Sequence, residues 1–389
     1  MQILNNKFQE APDFTGASLK SAISDALKKV DYMMETLGDS FATHNSYNNI
    51  YAKDENTDGW NQGFFTGILW LSYELTGDSK YKKLALSHLP SYKKRIVKKL
   101  GVNHHDMGFL FIPSCIAAYK LEGNTEARGI ALLAADNLMS RYHEKGGFIQ
   151  AWGELGASES YRLIVDCLLN IPLLYWAADE TGNEKYKTAA YTHFRSTIEN
   201  AIRPDASTFH TFYFDNETGA PLKGVTAQGA SNDSCWARGQ AWAIYGLMMT
   251  MKYINDPDAV NTCKKLTNYF LNYLPKDYIP FWDLSFTDGD IEPRDSSSAA
   301  IAVCGILELI KYLPDNDKDK QLYKNAVNLI MDSLHKNYST KNEKESNGLL
   351  LHATYGKPQN SGVDECNIWG DYFYTEALTR LSKNWDLYW

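Results

Sequence analysis

Ser72–Lys80 reads SYELTGDSK. An apolar helical pattern, GFFTGILWL (63–71), runs into this stretch, and an amphipathic one, YKKLALSHLPSYKKRI (81–96), leaves it. Gly77 fits the position just past a helix whose last turn closes in the left-handed conformation, and Asp78 can cap the next helix. The turn recurs as AYKLEGNTE (118–126) and AADETGNE (177–184), with Gly123 and Gly182 in the same place. KYINDPD (252–258) and KYLPDND (311–317) do the same work without glycine.

Turns this short join antiparallel helix pairs. Counting outward from them predicts twelve helices, over 18–37, 59–76, 79–99, 107–122, 125–143, 166–181, 184–202, 236–253, 257–274, 294–313, 318–338 and 369–384. The turns are spaced too widely and irregularly for a short-repeat solenoid. An all-α fold closed as an (α/α)6 barrel, six inner helices ringed by six outer ones, is expected; an open helical array is the alternative. The even-numbered helices are apolar and glycine-rich, as in GFLFIPSCIAAY (108–119) and WARGQAWAIYGLMM (236–249), and fit an inner ring buried all round. The odd-numbered ones carry the lysines and glutamates and fit an outer ring with one wet face. Strong strand signals are few, Thr208–Phe214 among them.

The 389 residues are 44% hydrophobic and 22% charged, enough for a large core, and no Pro/Ser/Gly-rich linker divides them. A single catalytic domain over 1–389 is therefore expected. The net charge of −8 disfavours a nucleic-acid partner, which wants a basic surface. Ten Trp and 25 Tyr could supply stacking platforms for sugars or simply fill a helical core. The six cysteines (115, 167, 235, 263, 304, 366) form no CxxC and read as buried free thiols. No apolar run of membrane-spanning length exists and the first residues lack a signal-peptide core, so the cytoplasm is expected, or the periplasm if a leader was removed. Oligomeric state is not legible.

In a toroid all inner helices point the same way, so the residues opening the even-numbered helices meet at one mouth. These are Trp60 and Asn61; His104, His105 and Asp106; Asp166; Trp236 and Arg238; Arg294 and Asp295; Trp369 and Asp371. The loops before them, 143–165, 203–235, 276–293 and 339–368, are long, as cleft-building loops are. Six helix N-termini also make a seat for an anionic group. Each residue has a plainer reading. An Asp there can be a cap, and Trp60, Trp152, Trp236 and Trp242 can be core. His104–His105 could be a metal pair, but no third ligand is near in sequence. Pro113 and Pro172 follow Asp106 and Asp166 at similar spacing and could bend both helix starts to bring the carboxylates together. Such a pair would be pushed apart in pKa, one acid and one base. Arg238, opening an apolar helix, wants an anionic partner.

Four stretches carry a family resemblance: GWNQGFFTGILWLSYELTGD (59–78), HHDMGFLF (104–111), IVDCLLNIPLLYWA (164–177), and HTFYFD (210–215) through GVTAQGASNDSCWARGQAW (224–242). With them the chain resembles the unsaturated glucuronyl hydrolases, glycoside hydrolase family 88, over roughly residues 55–380. The resemblance implies an (α/α)6 barrel that removes the 4,5-unsaturated uronic acid left by polysaccharide lyases at the non-reducing end of an oligosaccharide. The C4=C5 vinyl ether would be protonated at C4 and hydrated at C5, and the unstable product would open and release the next sugar. By motif position Asp166 is implied as the acid/base and Asp106 as its carboxylate partner. His210, Gln228, Arg238 and Trp242 match sugar-contacting positions. Trp60, His105, Trp152 and Trp236 complete the subsite, and Tyr355 closes it. Arg238 with the helix ends is the expected holder of the substrate carboxylate. No metal or cofactor is implied. Tolerance of sulfate would need cations near the second sugar, with Lys223 and Lys357 as candidates. The rival readings are an unsaturated rhamnogalacturonyl hydrolase acting on pectin fragments, an epimerase or lyase on the same fold, and a non-catalytic sugar-binding protein.

Overall fold

The computed structural model describes residues 2–3, 6–54 and 58–389. Met1, Leu4, Asn5 and Glu55–Thr57, which fall within the expected domain range and at the edge of the family-like region, lie outside the described residues.

Twelve helical units follow one another among the described residues. They are α1 (Gly16–Leu37), α2 (Gln62–Thr76), α3 (Ser79–Ser87, continued by Leu89–Val97) and α4 (Met107–Phe111, a π turn Ile112–Ile116, then Ala117–Glu122). Next come α5 (Thr125–Met139), α6 (a 3-10 turn Val165–Leu169, then Pro172–Thr181), α7 (Glu184–Ala201) and α8 (Ala237–Met251). The last are α9 (Pro257–Asn272), α10 (Ser296–Tyr312), α11 (Lys320–Ser333 with a π turn Leu334–Tyr338) and α12 (Ile368–Ser382). The hairpin turns have the chemistry read from the sequence. Gly77, Gly123 and Gly182 take φ of 73°, 62° and 69°. The side chains of Asp78, Asn124, Asn183 and Asp256 accept hydrogen bonds from the first backbone N–H groups of the following helices.

The even-numbered helices pack in the cyclic order α2, α4, α6, α8, α10, α12 and back to α2, so the toroid is closed. The odd-numbered helices surround them: α3 on α2, α5 on α4 and α6, α7 on α6, α9 on α8 and α10, α11 on α10, and α1 on α12. α8 is buried along its whole length, whereas α3 and α7 keep an exposed charged face. Close approach inside the ring requires glycine. A Cβ on Gly63 would lie 2.1 Å from the Phe109 carbonyl oxygen, and one on Gly108 would lie 2.5 Å from the Asn170 Cα. The six cysteines are free and buried. No helix of the described residues is long and apolar enough to cross a membrane.

Several boundaries differ from expectation. Pro172 lacks an N–H and excludes the carbonyl four residues back, so α6 does not run unbroken from Asp166; a 3-10 turn precedes the α-helix. Pro113 is absorbed by the π turn of α4. α5 stops at Met139 because Tyr142–His143 pairs antiparallel with Phe148–Ile149. The long loops at the N-terminal ends of the inner helices hold two further pieces of sheet. One is three-stranded, β1 (Arg162–Ile164), β2 (Thr211–Phe214) and β3 (Pro221–Val225). The other is a hairpin, β4 (Ala353–Gly356) with β5 (Ser361–Glu365).

At the opposite end the segment after α12 folds back under the ring. Trp389 is 1% exposed, stacks on Phe373 at 6.0 Å, and meets Tyr372, Tyr245 and Phe109. Its indole N–H donates to Glu376 Oε2 at 2.8 Å, and Glu376 also pairs with Arg380 at 2.9 Å. Trp389→Phe keeps most of the packing and removes one donor to a buried carboxylate. A loss of about 1.5–3 kcal/mol in urea unfolding is expected.

Candidate active site

Two chain segments bring the acids together. Asp106 directly precedes α4, and Asp166 sits in the 3-10 turn that begins α6. Gly108 lets the two segments touch, and Asn170 joins them. Its Oδ1 accepts from the Phe109 N–H at 3.0 Å, and its Nδ2 donates to Asp106 Oδ1 and to the Asp166 carbonyl, both at 3.3 Å. His105 lies between the carboxyl groups, with Nε2 3.3 Å from Asp106 Oδ1 and 3.3 Å from Asp166 Oδ1. One ligand atom each of His105, Asp106 and Asp166 falls within 4.8 Å of the others. Both ring nitrogens of His105 and Asp166 Oδ1 are buried with no hydrogen-bond partner in the protein. Such atoms are the ones a bound water or substrate would satisfy.

The environments of the two acids differ. Burial and then the neighbouring Asp106 charge push the Asp166 carboxyl well above the usual range, against a smaller opposing pull from Arg238. Burial also acts on Asp106, but the neighbouring His105 and His104 and the contact with Trp152 together outweigh it and hold that carboxyl low. Asp106 is therefore the ionised member and Asp166 the protonated one. Two of the histidines, His105 and His210, are neutral. Burial lowers His105 to about 4 and His210 to about 3. His210 Nδ1 accepts from the backbone N–H groups of Ala227 (2.9 Å) and Gln228 (3.1 Å), which leaves its proton on Nε2. His104 Nδ1 accepts from the Asp106 N–H at 3.1 Å, so its Nε2 donates to the Gly101 carbonyl at 2.8 Å. His104 holds a loop in place and carries Trp152 stacked on its face, 4.2 Å away and 7° from parallel.

These groups open into a cavity of about 190 Å³, small for an oligosaccharide and suited to one sugar ring. Asp106, Asp166, Trp60, Trp152, His210, Gln228, Trp236, Arg238, Trp242 and Tyr355 line it together with Ile164 and Ala227. Of the residues expected at the site, His105 alone stands behind the wall rather than in it, buried between the two acids. Trp60 packs against Trp369 (5.1 Å), Phe109 (5.8 Å) and Tyr355 (6.2 Å), and Trp236 against His210 (4.4 Å). The tryptophans thus serve core and cleft at once.

Arg238 has a different surrounding from the one expected. Its anionic partner is Asp295, 2.8 Å away and fully buried. The same guanidinium donates to the Thr354 carbonyl (2.6 Å), the Tyr355 carbonyl (2.6 Å) and Gln228 Oε1 (3.0 Å). It lies 4.4 Å from the Trp236 ring centroid and 5.3 Å from that of Trp369. Arg238 therefore ties the β4–β5 hairpin, α10 and the Gln228 loop to α8. Asp371 is also an anchor. It accepts from Leu349 N–H, Leu350 N–H and Tyr51 Oη and holds the last long loop rather than lining the cavity. The supporting residues that the sequence left unassigned are Asn170 and Ile164. Asn170 had one visible signal, a polar side chain inside the apolar run CLLNIPLLYWAA (167–178).

The profile of Glycosyl Hydrolase Family 88 matches residues 32–383. The unsaturated chondroitin disaccharide hydrolase of Streptococcus pneumoniae is 49% identical over 383 residues, covering 98% of this chain and 96% of that protein. The crystal structure of the unsaturated glucuronyl hydrolase of Streptococcus agalactiae superposes with a TM-score of 0.98 at 49% identity, covering 100% of this chain and 98% of the other. A mutant of that enzyme complexed with dGlcA-GalNAc6S superposes with a TM-score of 0.87 at 43% identity and full coverage of both chains. With two opposed carboxyl groups at the mouth of a closed (α/α)6 barrel, and with matches along nearly its whole length, the chain belongs to glycosyl hydrolase family 88.

Proposed function

We propose that this protein removes the 4,5-unsaturated uronic acid from chondroitin-type disaccharides and related lyase products, with Asp166 as acid and base, and that 1–389 acts as one catalytic domain in the cytoplasm. The observation that carries the reading is the acid pair, a raised Asp166 facing a lowered Asp106 within 4.8 Å, with Asp166 Oδ1 lacking a protein partner. Ordinary inverting glycosidases hold their carboxyl groups roughly 6.5–9.5 Å apart to admit a water between them. The pair here is nearer the roughly 5–5.5 Å of retaining enzymes, and it divides its labour, one acid holding a proton and the other a charge. A neutral carboxyl group can protonate the electron-rich C4 of a vinyl ether. The carboxylate it becomes can then take a proton from the water that adds at C5. Ionised Asp106 keeps that proton on Asp166 beforehand and accepts a hydroxyl hydrogen of the sugar. His210 Nε2–H and Gln228 bind the ring, the tryptophans exclude water, and Arg238 sets a positive field for the uronate carboxylate while remaining paired with Asp295.

A fall in the ultraviolet absorbance of the C4=C5 bond on incubation with an unsaturated chondroitin disaccharide is the direct test. No change with that disaccharide or with unsaturated heparin, gellan and rhamnogalacturonan products would sink the reading. Turnover of the rhamnogalacturonan product alone would transfer the chain to the pectin-directed alternative. His105, Asp106 and Asp166 are also spaced as three ligands of a metal ion could be. The proposed chemistry needs no metal, so a chelator is expected to leave the rate unchanged. A loss reversed by adding a divalent metal would replace the proton-transfer reading.

The pH dependence follows from the two shifts. Protonated Asp166 is present below its raised pKa, so kcat/KM falls as pH rises through that value. At low pH, protonation of Asp106 produces the second limb. In Asp106→Asn the like charge is gone while burial remains, so the alkaline limb of the residual activity is expected to move to lower pH. An alkaline limb that stays in place would show that Asp106 does not tune Asp166.

A further inference from the structure

We propose that His193 is a positioning residue for the acid pair: its Nε2–H, through one buried water, satisfies His105 Nδ1 and so keeps the His105 proton on Nε2, between Asp106 and Asp166. The consequence for catalysis rests on the hydrolase reading above. His193 lies on α7 and is fully buried. α7 packs on the strand Phe148–Ile149 and on the 3-10 turn that carries Asp166. His193 Nδ1 accepts from the Ile149 N–H at 3.3 Å. Two residues further on, the Ala151 carbonyl accepts from the His105 N–H at 3.1 Å. One turn along α7, Thr197 Oγ1 donates to the His193 carbonyl at 2.8 Å and lies 3.4 Å from the Sγ of Cys167, the neighbour of Asp166. His193 is thus braced between the segment that holds His105 and the turn that holds Asp166.

The proton positions follow from these bonds. Burial, and then His105 nearby, lower His193 to about 3, so its ring is neutral. With Nδ1 accepting, the single proton is on Nε2. That N–H is buried with no hydrogen-bond partner among the described residues, and so is His105 Nδ1. Polar atoms this deep are normally satisfied by an ordered water where the protein does not serve them. A water between the two rings accepts from His193 Nε2 and donates to the lone pair of His105 Nδ1. The His105 proton is then on Nε2, 3.3 Å from Asp106 Oδ1 and 3.3 Å from Asp166 Oδ1. There it favours the ionised form of Asp106 and leaves the Asp166 proton free for the substrate. In the other tautomer a lone pair would face Asp166, accept its O–H and turn the acid away from the sugar. His193 does not line the cavity. It acts through His105, because the bond made by one ring nitrogen decides which nitrogen carries the proton.

The test pairs two substitutions in the full-length protein. His193→Asn keeps an acceptor for the Ile149 N–H but is too short to serve His105, whereas His193→Gln keeps a donor near the Nε2 position. On an unsaturated chondroitin disaccharide, kcat is expected to fall about 10–100-fold in His193→Asn with KM nearly unchanged, and His193→Gln should recover part of the loss. Wild-type kcat in His193→Asn would overturn the proposal. So would a Gln variant no better than the Asn one, the order expected if His193 served only to hold the strand. Histidine-selective NMR of the imidazole nitrogens reads the tautomer directly. In wild-type protein His105 is expected with Nδ1 bare and Nε2 protonated, and in His193→Asn with both tautomers present. A proton on His105 Nδ1 in the wild type ends the proposal, whether or not the variants fold. If wild-type protein turns over no unsaturated disaccharide, the hydrolase reading has failed. The His105 tautomer and its change in His193→Asn then sustain or end the link to His193 by themselves.

Discussion

Asp166→Asn is expected to lower kcat by about 10²–10⁴, the range general acid–base catalysis commonly supplies. The absorbance of the C4=C5 bond should stay flat in the variant while wild-type protein bleaches it. The substitution is nearly isosteric, and Asp166 Oδ1 has no hydrogen-bond partner in the protein to lose. It also removes a buried acid that sits beside another. Unfolding stability should therefore hold or rise, and the disaccharide should still bind. That combination separates an enzyme from a sugar-binding protein on the same fold: a binder would show no bleaching in wild type. Full activity in the variant would remove Asp166 from the chemistry and leave Asp106 as the candidate acid.

Asp295→Ala should be the most damaging single change to the scaffold of the site. Arg238 is 2% exposed, and Asp295, also buried, supplies its carboxylate at 2.8 Å. Taking away one partner leaves an uncompensated buried charge, at a cost of about 3–5 kcal/mol. Asp295 Oδ1 also accepts from Ser297 Oγ at 2.6 Å, so the start of α10 would loosen as well. The remaining Arg238 bonds run to Thr354, Tyr355 and Gln228, so the β4–β5 hairpin and the Gln228 loop should shift with it. Urea unfolding should show the stability loss, and KM should rise more than kcat falls. The conservative Asp295→Asn keeps the shape and one acceptor and should recover part of both. A variant as stable as wild type would show that Arg238 finds its charge balance elsewhere.

The twelve helices were legible because a helical period and a Gly-Asp or Gly-Asn turn are local properties. Gly77, Gly123 and Gly182 take the left-handed conformation that their place in the sequence calls for. The inner and outer rings were legible for the same reason, since a helix buried all round needs apolar residues all round. The cluster of acids and rings at one mouth followed from counting helix directions, together with the family resemblance of four stretches. Three things were not legible. Asp166 stands in a 3-10 turn because Pro172 forbids a continuous helix and the ring contact at Gly108 sets where the chain bends. Arg238 has its anion in Asp295, 57 residues away and opposite it only once α8 and α10 are packed. Asn170 touches Asp106 across 64 positions, and His193 takes the Ile149 N–H across 44. Local sequence determines which elements form and which face is apolar, because backbone sterics and side-chain periodicity act within a few residues. Which polar groups meet, and which carboxyl group keeps its proton, only the closed ring decides, because both depend on burial and on charges far apart in the chain.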